Sequence, residues 1–156
     1  MFRGHTVAPD AQWERFARRE PYFAVVTSPK YLRANLTAEA EREFFDTGDA
    51  FVEWALTTID LRLQPHFAPV SILEYGCGAG RLAVPFARRP ASVTAVDRSP
   101  AMLDAARNAA ERQGITHIRF ETPSEFFSTI EAVHFRIFGV SCILDTGMQS
   151  GSKGDL

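Results

Sequence analysis

Three glycines at alternate positions, Gly76, Gly78 and Gly80, constrain the fold more than any other feature of this sequence. They directly follow a short apolar run from Val70 to Tyr75 and precede an amphipathic segment from Arg81 to Arg89. Glycine carries no Cβ atom, so it permits a tight turn and lets a ligand approach the backbone closely. A helix that begins after such a turn directs its first amide groups at the same place. We therefore predict a buried strand, a ligand-binding loop and a helix, in that order.

The following residues repeat the alternation of apolar run and helix. A second apolar run, Val93 to Val96, is followed by Ser99 and Pro100, a helix N-cap with proline at the first helical position. That helix is predicted to reach about Gln113, and a third candidate strand covers Ile115 to Glu121. Strand–helix alternation of this kind indicates an α/β fold with a Rossmann-like parallel sheet and right-handed crossovers. A short helix from Ser124 to Ile130 and a fourth strand from Val133 to Leu144 are expected next.

The residues before this sheet read as helical. We expect a short helix capped by Asp10, an irregular stretch between Pro21 and Pro29, and a helix that starts after Thr37 and is interrupted at Gly48. A second helix is expected after Gly48, and six of its residues are expected to share one face: Phe51, Trp54, Ala55, Thr58, Ile59 and Leu63. We predict an N-terminal helical cap over residues 1–69 and a ligand-binding domain over residues 70–156, with Phe44, Phe45 and Trp54 in the core.

The acidic residue before the glycines indicates the charge of the ligand. The dinucleotide fingerprint Gly-x-Gly-x-x-Gly would need a third glycine at position 81, where the sequence has Arg81. Instead Glu74 precedes glycines at alternate positions, and a carboxylate there would repel a pyrophosphate. It is well placed to attract the ammonium group of an amino acid, directly or through water. The pattern therefore favours a cationic sulfonium amino acid over a dinucleotide.

Further candidate binding residues follow the second strand. Asp97 ends that strand, where a carboxylate can accept both ribose hydroxyl groups. Arg98 lies beside it and could cover an adenine ring, and Met102, one turn into the helix, could line the same pocket. Cys77 lies among the glycines and is counted with the loop, where its small size fits better than a nucleophilic role.

Composition limits the other classes. The chain has 156 residues, which is enough for one domain, and it contains two cysteines. Its net charge of −2 gives no electrostatic argument for binding nucleic acid or membranes. A disulfide framework is not expected, and neither a signal peptide nor a membrane span is recognisable. The histidines, at positions 5, 66, 117 and 134, lack metal-ligand spacing, so no metal site is predicted. We expect a cytoplasmic protein.

Two stretches resemble motifs I and II of class I S-adenosylmethionine-dependent methyltransferases: ILEYGCGAGRL and VTAVDRSPAMLDAARNAAERQGITHIRF. The resemblance covers roughly residues 70–121, and EPYFAVVTSPKY upstream is more loosely similar to the cap of one bacterial group. It implies methyl transfer from S-adenosylmethionine to a small-molecule acceptor, and it gives cofactor roles to Glu74, Gly76, Gly78, Gly80, Asp97 and Arg98. No general base is identifiable.

The chain departs from the family in length. By resemblance, a complete class I domain has seven strands in the order 3-2-1-4-5-7-6, and this sequence stops near strand 4. We expect an incomplete fold with strand 4 as an open edge, which leaves three readings: a truncated or frameshifted product, a homodimer through that edge, or a shortened fold. Two other functions stay open: a non-catalytic S-adenosylmethionine-binding or interaction module, and a nicotinamide-dependent oxidoreductase.

Overall fold

The computed structural model describes residues 9–129 and 142–145, with side chains described for residues 11–129. Within these residues the helices are α1 (Pro9–Arg19), α2 (Pro21–Val25), α3 (Ala38–Arg62), α4 (Ala83–Ala87), α5 (Pro100–Arg112) and α6 (Pro123–Thr129), with a 3₁₀ turn at Pro29–Tyr31. The strands are β1 (Ser71–Tyr75), β2 (Ser92–Val96), β3 (Ile118–Glu121) and β4 (Cys142–Asp145). α1 begins at Pro9, so Asp10 lies in its first turn and the prediction that Asp10 caps this helix is wrong. Most of the expected fourth strand and the residues from Thr146 on lie outside what the structure describes.

A sheet in the order β3-β2-β1-β4 forms the centre of the fold. β1 pairs with β2 in parallel, with Tyr75 opposite Val96, and β2 pairs with β3 in parallel, with Val96 opposite Glu121. The carboxyl ends of these three strands therefore lie side by side, and the glycine loop leaves the sheet there. This confirms the predicted α/β fold with a parallel βαβαβ unit.

The fourth strand departs from a fully parallel sheet. β4 lies beside β1, as expected, but runs antiparallel to it, with Cys142 opposite Tyr75 and Asp145 opposite Ile72. The strand thus begins at the carboxyl edge of β1 and runs toward the amino edge. A parallel β4 would have to begin at the opposite edge, which requires a crossover connection across the whole sheet. The sheet is accordingly mixed, and a dimer through the β4 edge stays a prediction.

The helix after β2 agrees closely with the sequence prediction. α5 begins at Pro100, and the Ser99 hydroxyl accepts a hydrogen bond from the Met102 amide at 3.2 Å. Met102, Leu103, Ala106 and Ala110 are all buried. Side chains at this spacing share one face of a helix, and this apolar face packs into the core behind the Ser99 cap.

The predicted interruption at Gly48 is wrong, because α3 is one helix of 25 residues. Gly48 is buried within it, and a Cβ atom at this position would lie 1.9 Å from the Arg81 carbonyl oxygen. Thr37 caps the helix as predicted, since its hydroxyl accepts a hydrogen bond from the Ala40 amide at 3.1 Å. Glycine therefore serves close approach of α3 to the chain after the glycine loop, and it does not break the helix.

The buried face of α3 also differs from the expected one. Its buried residues are Ala40, Phe44, Phe45, Gly48, Val52, Ala55 and Ile59. Trp54 is 62% exposed and Leu63 is 58% exposed, so the prediction that Trp54 belongs to the core is wrong. The single helix continues the stripe of Phe44 and Gly48 through Val52, and that register turns Trp54 toward solvent.

Two shorter segments differ from expectation. The stretch after Pro21 is helical (α2) and not irregular, since a proline at the first helical position is already set to the helical φ angle. α4 covers only Ala83–Ala87, whereas a helix from Arg81 to Arg89 was expected. The residues before Ala83 are taken up by the turn that follows the glycine loop.

One hydrophobic core joins the N-terminal helices to the sheet. Phe44 and Phe45 of α3, predicted as core, are 0% and 2% exposed and belong to the same cluster as Phe86, Val93 and Leu103. The predicted boundary at residues 69 and 70 falls between α3 and β1, and the division into two domains stays a prediction. In the part of the chain that the structure describes, no helix is both long enough and apolar enough to cross a bilayer.

Candidate functional site

A cavity of about 730 Å³ opens at the carboxyl edge of β1 and β2. The residues that line it come from the N-terminal helices, the glycine loop, the end of β2 and the start of α6: Trp13, Ala24, Val25, Tyr75, Gly76, Gly78, Asp97, Arg98 and Pro123. Of the predicted site residues, the structure therefore brings Gly76, Gly78, Asp97 and Arg98 together around one space.

The glycine loop is held by hydrogen bonds inside the protein. The Gly76 and Cys77 amides donate to the Val96 carbonyl at 2.7 and 3.0 Å, and the Gly80 amide donates to the Cys77 carbonyl at 2.9 Å. Gly76 has a φ of +83°, which favours glycine, and a Cβ atom there would meet nothing within 4 Å. The loop thus leaves open space above Gly76 while its own backbone is fixed to β2.

These bonds correct the expected role of the loop amides. The sequence predicted a helix beginning near Gly80 with amide groups directed at the ligand. α4 begins later, at Ala83, and the Ala83 amide hydrogen-bonds to the Glu74 carboxylate. The Gly78 amide donates to Asp97 Oδ2 at 2.9 Å. These amides are engaged by carboxylates of the chain itself, so the loop contributes shape and fixed acidic groups.

Asp97 joins the glycine loop to the start of α5 by hydrogen bonds. Its Oδ2 accepts from the Gly78 amide and its Oδ1 accepts from the Ser99 amide, both at 2.9 Å. The residue is 7% exposed, and its backbone amide donates to the Glu121 carbonyl at 3.2 Å. A carboxylate oxygen has more than one acceptor position, so each oxygen can accept a further hydrogen bond from a ligand in the cavity. Asp97 is therefore held by two backbone amides where it lines the cavity, and its role in binding a ligand stays a prediction.

Glu74 is buried behind the loop at 2% exposure, and its Oε2 has no hydrogen-bond partner. Burial raises the pKa of Glu74 to about 8, and the nearby Asp97 carboxylate acts in the same direction. The Arg81 charge and the Ala83 amide act in the opposite direction without outweighing desolvation. A buried acceptor without a partner is costly, so this oxygen is a place where a cationic or donating group would be stabilised.

The remaining predicted site residues lie behind the cavity wall. Met102 is 0% exposed and belongs to the core, and Gly80 is buried, with its Cβ position 3.1 Å from the Ala106 Cβ atom. Cys77 is 2% exposed, and burial raises the pKa of its thiol well above the usual value, which agrees with the prediction that it is not a nucleophile. For Met102, Cys77 and Gly80 a cofactor role stays a prediction.

Sequence reasoning missed the residues that the N-terminal helices bring to the cavity. Trp13 of α1 and Val25 of α2 line it, and a Cβ atom on Gly78 would lie 2.6 Å from the Val25 Cγ2 atom. A second cavity of about 380 Å³ lies next to it, and Trp13 and Arg98 line both. Nothing in the local pattern around Trp13 distinguishes it from a packing aromatic. Among the described residues, no group of three or more His, Cys, Asp or Glu side chains could hold a metal ion.

The comparisons agree with this geometry. Residues 72–133, which include the glycine loop and Asp97, match the model of the methyltransferase domain family. This match supports a class I methyltransferase domain over these residues. The resemblance inferred from the two motifs is thereby confirmed. The methyltransferase family uses S-adenosylmethionine as its cofactor.

Relatives among the curated proteins are methyltransferases of several kinds. The 23S rRNA (uracil(1939)-C(5))-methyltransferase RlmD of Pectobacterium carotovorum is 34% identical over 97 residues, which is 59% of this chain. The ubiquinone biosynthesis O-methyltransferase of Methylocella silvestris is 51% identical over 45 residues, which is 29% of this chain. The chain spans 20% and 18% of these two methyltransferases' own lengths.

A solved methyltransferase structure gives a weaker likeness. Magnesium protoporphyrin IX methyltransferase (ChlM) from Synechocystis, solved with bound S-adenosylhomocysteine, is 17% identical with a TM-score of 0.48. The likeness covers 80% of this chain and 55% of that protein.

Proposed function

We propose that this chain binds S-adenosylmethionine at the cavity beside the glycine loop and acts in methyl transfer to a small-molecule acceptor. The observation that carries the proposal is the buried Glu74 carboxylate with one oxygen left without a partner. It lies directly before Tyr75 and Gly76, which line the cavity. The proposal assigns the ammonium end of the cofactor to this acidic side of the loop.

The residues present fit such a ligand in three respects. Glu74 offers a buried carboxyl oxygen without a partner, and an ammonium group beside it would favour its charged form, whereas a pyrophosphate would not. Gly76 leaves open space where a side chain would otherwise stand. Asp97 lines the cavity and is held in place by two backbone amides, which suits recognition of ribose hydroxyls, and Arg98 lies beside it.

Bound S-adenosylmethionine would supply a methyl group for transfer from its sulfonium sulfur to a nucleophilic acceptor, and Glu74 and Asp97 would hold its ammonium end and its ribose. The chain's own residues would hold and orient the cofactor, and the N-terminal helices, which line the cavity, would help to exclude water from it. Within the described part of the chain we assign no general base.

The acceptor class is part of the proposal. The two curated relatives described above are named for rRNA and for ubiquinone biosynthesis, so they differ in their class of acceptor. A net charge of −2 offers no electrostatic attraction to a polyanion, which supports a small molecule over RNA. The absence of a nucleic-acid partner stays a prediction.

Calorimetric titration separates the candidate ligands. We expect S-adenosylhomocysteine to bind and NADH to give no heat. Asp97→Ala should weaken binding by at least about 1.5 kcal/mol, because charged hydrogen bonds to the ligand are lost. Asp104→Ala is the matched control, since Asp104 lies on α5, the helix that follows Asp97, with its side chain 69% exposed. Asp97→Asn keeps the side-chain shape and reports whether loss of binding follows loss of charge.

Three outcomes would contradict the proposal. Tight NADH binding without S-adenosylhomocysteine binding would favour an oxidoreductase. Equal affinities for Asp97→Ala and wild type would remove Asp97 from the site. Binding of S-adenosylmethionine with no turnover in a broad panel of small-molecule and RNA acceptors would favour the binding-module alternative.

A further inference from the structure

The N-terminal helix α1 brings an aromatic residue to the cofactor cavity that lies far from it in the sequence. Trp13 and Arg98 both line the main cavity, and both also line the smaller cavity beside it. Trp13 is 36% exposed although α1 packs against α5. An indole at the mouth of a cavity buries further apolar surface when a ligand enters.

Trp13 is held at this place by its neighbour in the chain. The Ser99 hydroxyl donates to Glu14 Oε2 at 2.5 Å, although the two residues are 85 positions apart. Burial raises the pKa of Glu14, but hydrogen bonds from Ser99, Arg18 and the Ala101 amide outweigh it and lower the pKa overall. The carboxylate therefore anchors α1 to the N-terminal turn of α5, where a negative charge is stabilised. Ala17, one turn further along α1, is 1% exposed and packs in the core.

The surroundings of Trp13 indicate which part of the ligand it meets. Glu74 marks the amino-acid end of the proposed site, and Asp97 marks the ribose. The smaller cavity extends from Trp13 along Arg98, Ser99 and Pro100, which is the side of Asp97 that continues into α5. Trp13 therefore lies on the nucleoside side.

We propose that Trp13 covers the nucleoside of the bound S-adenosyl ligand, so that the N-terminal cap contributes a binding residue to the cofactor site. This inference rests on the proposed function, because it presupposes an S-adenosyl ligand in the cavity. An aromatic side chain can stack on any nucleobase, and the loss of such stacking changes the binding affinity enough to be measured.

The two tryptophans of the chain provide a matched pair of variants. Trp13→Leu should weaken the binding of both S-adenosylhomocysteine and 5′-methylthioadenosine by about tenfold. The second ligand keeps the nucleoside but lacks the amino acid. Trp54→Leu, on the exposed side of α3, should leave both affinities within about twofold. Glu74→Gln should weaken the binding of S-adenosylhomocysteine and leave that of 5′-methylthioadenosine unchanged. In a Trp54→Phe background Trp13 is the sole tryptophan, and we expect both ligands to change its fluorescence.

The outcomes separate this inference from the proposed function. Calorimetric binding of S-adenosylhomocysteine with equal affinities for Trp13→Leu and Trp54→Leu would overturn the inference and leave the proposed function standing. Loss of S-adenosylhomocysteine affinity alone, with 5′-methylthioadenosine unaffected, would overturn the nucleoside assignment. Failure of wild type to bind S-adenosylhomocysteine would overturn both. If Trp13→Leu unfolds at a lower temperature than wild type, the binding affinities are measured on Trp13→Phe instead. The tryptophan fluorescence of the Trp54→Phe protein provides a second test, and an emission that does not change on ligand binding contradicts the inference.

Discussion

Gly48 of α3 lies against the backbone of Arg81, so closely that a Cβ atom at position 48 would be 1.9 Å from the Arg81 carbonyl oxygen. The Arg81 guanidinium in turn donates to the Thr47 carbonyl at 3.4 Å and lies 5.8 Å from the centre of the Phe51 ring. The long cap helix and the chain after the glycine loop are thus joined by direct backbone contact. Arg81 also acts on the pKa of Glu74, so this contact supports the electrostatics of the site.

Gly48→Ala should destabilise the protein by about 1–3 kcal/mol, because the new methyl group would force α3 away from the Arg81 backbone. The better helix propensity of alanine offsets only about 1 kcal/mol of this cost. Urea unfolding measures the change, and Thr57→Ala, at an exposed position of the same helix, is the control. A Gly48→Ala protein as stable as wild type would show that the contact is not tight in solution.

Gly78→Ala should cost more stability than Gly76→Ala. Both positions have positive φ, +53° and +83°, so both substitutions carry backbone strain. Only at Gly78 would the new Cβ atom meet a neighbour, the Val25 Cγ2 atom at 2.6 Å, whereas at Gly76 it would meet nothing within 4 Å. The difference between the two unfolding free energies therefore measures the contact between α2 and the loop.

Val25→Ala provides the second half of that test. Removing the Val25 methyl groups makes room for a Cβ atom on Gly78, so the double variant should recover part of the loss caused by Gly78→Ala. Combined with Gly76→Ala, the same Val25 change should show simple additivity. Equal coupling in both pairs would mean that α2 does not rest on the loop.

The stability of the ligand-free protein should fall as pH rises from 5 to 8. The folded-state pKa of Glu74 is raised to about 8 from a usual 4.5, so the folded protein keeps a proton that the unfolded chain has lost. By linkage, stability then decreases with pH in this window, by about 3 kcal/mol for a shift of this size. Glu74→Gln cannot titrate and should lack this slope. Parallel urea curves at pH 5 and pH 8 compare the two proteins; an identical pH dependence would exclude Glu74 as the cause.

Tyr22→Phe should lower the free energy of unfolding by about 1–2 kcal/mol, because Tyr22 donates to Glu41 Oε1 at 2.6 Å in a partly buried contact. Burial and the Glu41 hydrogen bond both raise the pKa of Tyr22, so it remains a donor through the neutral range. Arg112 of α5 donates to the Tyr22 hydroxyl at 3.0 Å and also pairs with Glu41, which joins α2, α3 and α5.

A double-variant cycle isolates this junction. Tyr22→Phe and Arg112→Gln should be coupled in unfolding free energy, whereas Tyr22→Phe and Arg107→Gln should be additive. Arg107 lies on the same α5 helix but pairs with the exposed Asp104. Additive behaviour of both pairs would show that the three groups do not act together.

Local patterns were sufficient for the elements that build the sheet. The apolar runs before the glycines and before Asp97, and the Ser99 cap with Pro100, each predict an element from residues within one or two turns of one another. The antiparallel β4 and the continuity of α3 through Gly48 were not predictable in this way. Both depend on what a segment meets across the fold, and Gly48 is compatible locally with a helix break and with close packing.

The sequence by itself determined the order of strand, glycine loop, helix and acidic strand end, and with it the kind of ligand that Glu74 and Asp97 favour, because these features follow from short-range geometry and side-chain charge. Tertiary structure alone decided that the Glu74 oxygen is buried without a partner, that the loop amides bond within the protein, and that Trp13 and Val25 line the cavity. The physical reason is that burial, desolvation and contacts between distant segments arise only when packed helices bring together residues that lie far apart in the chain.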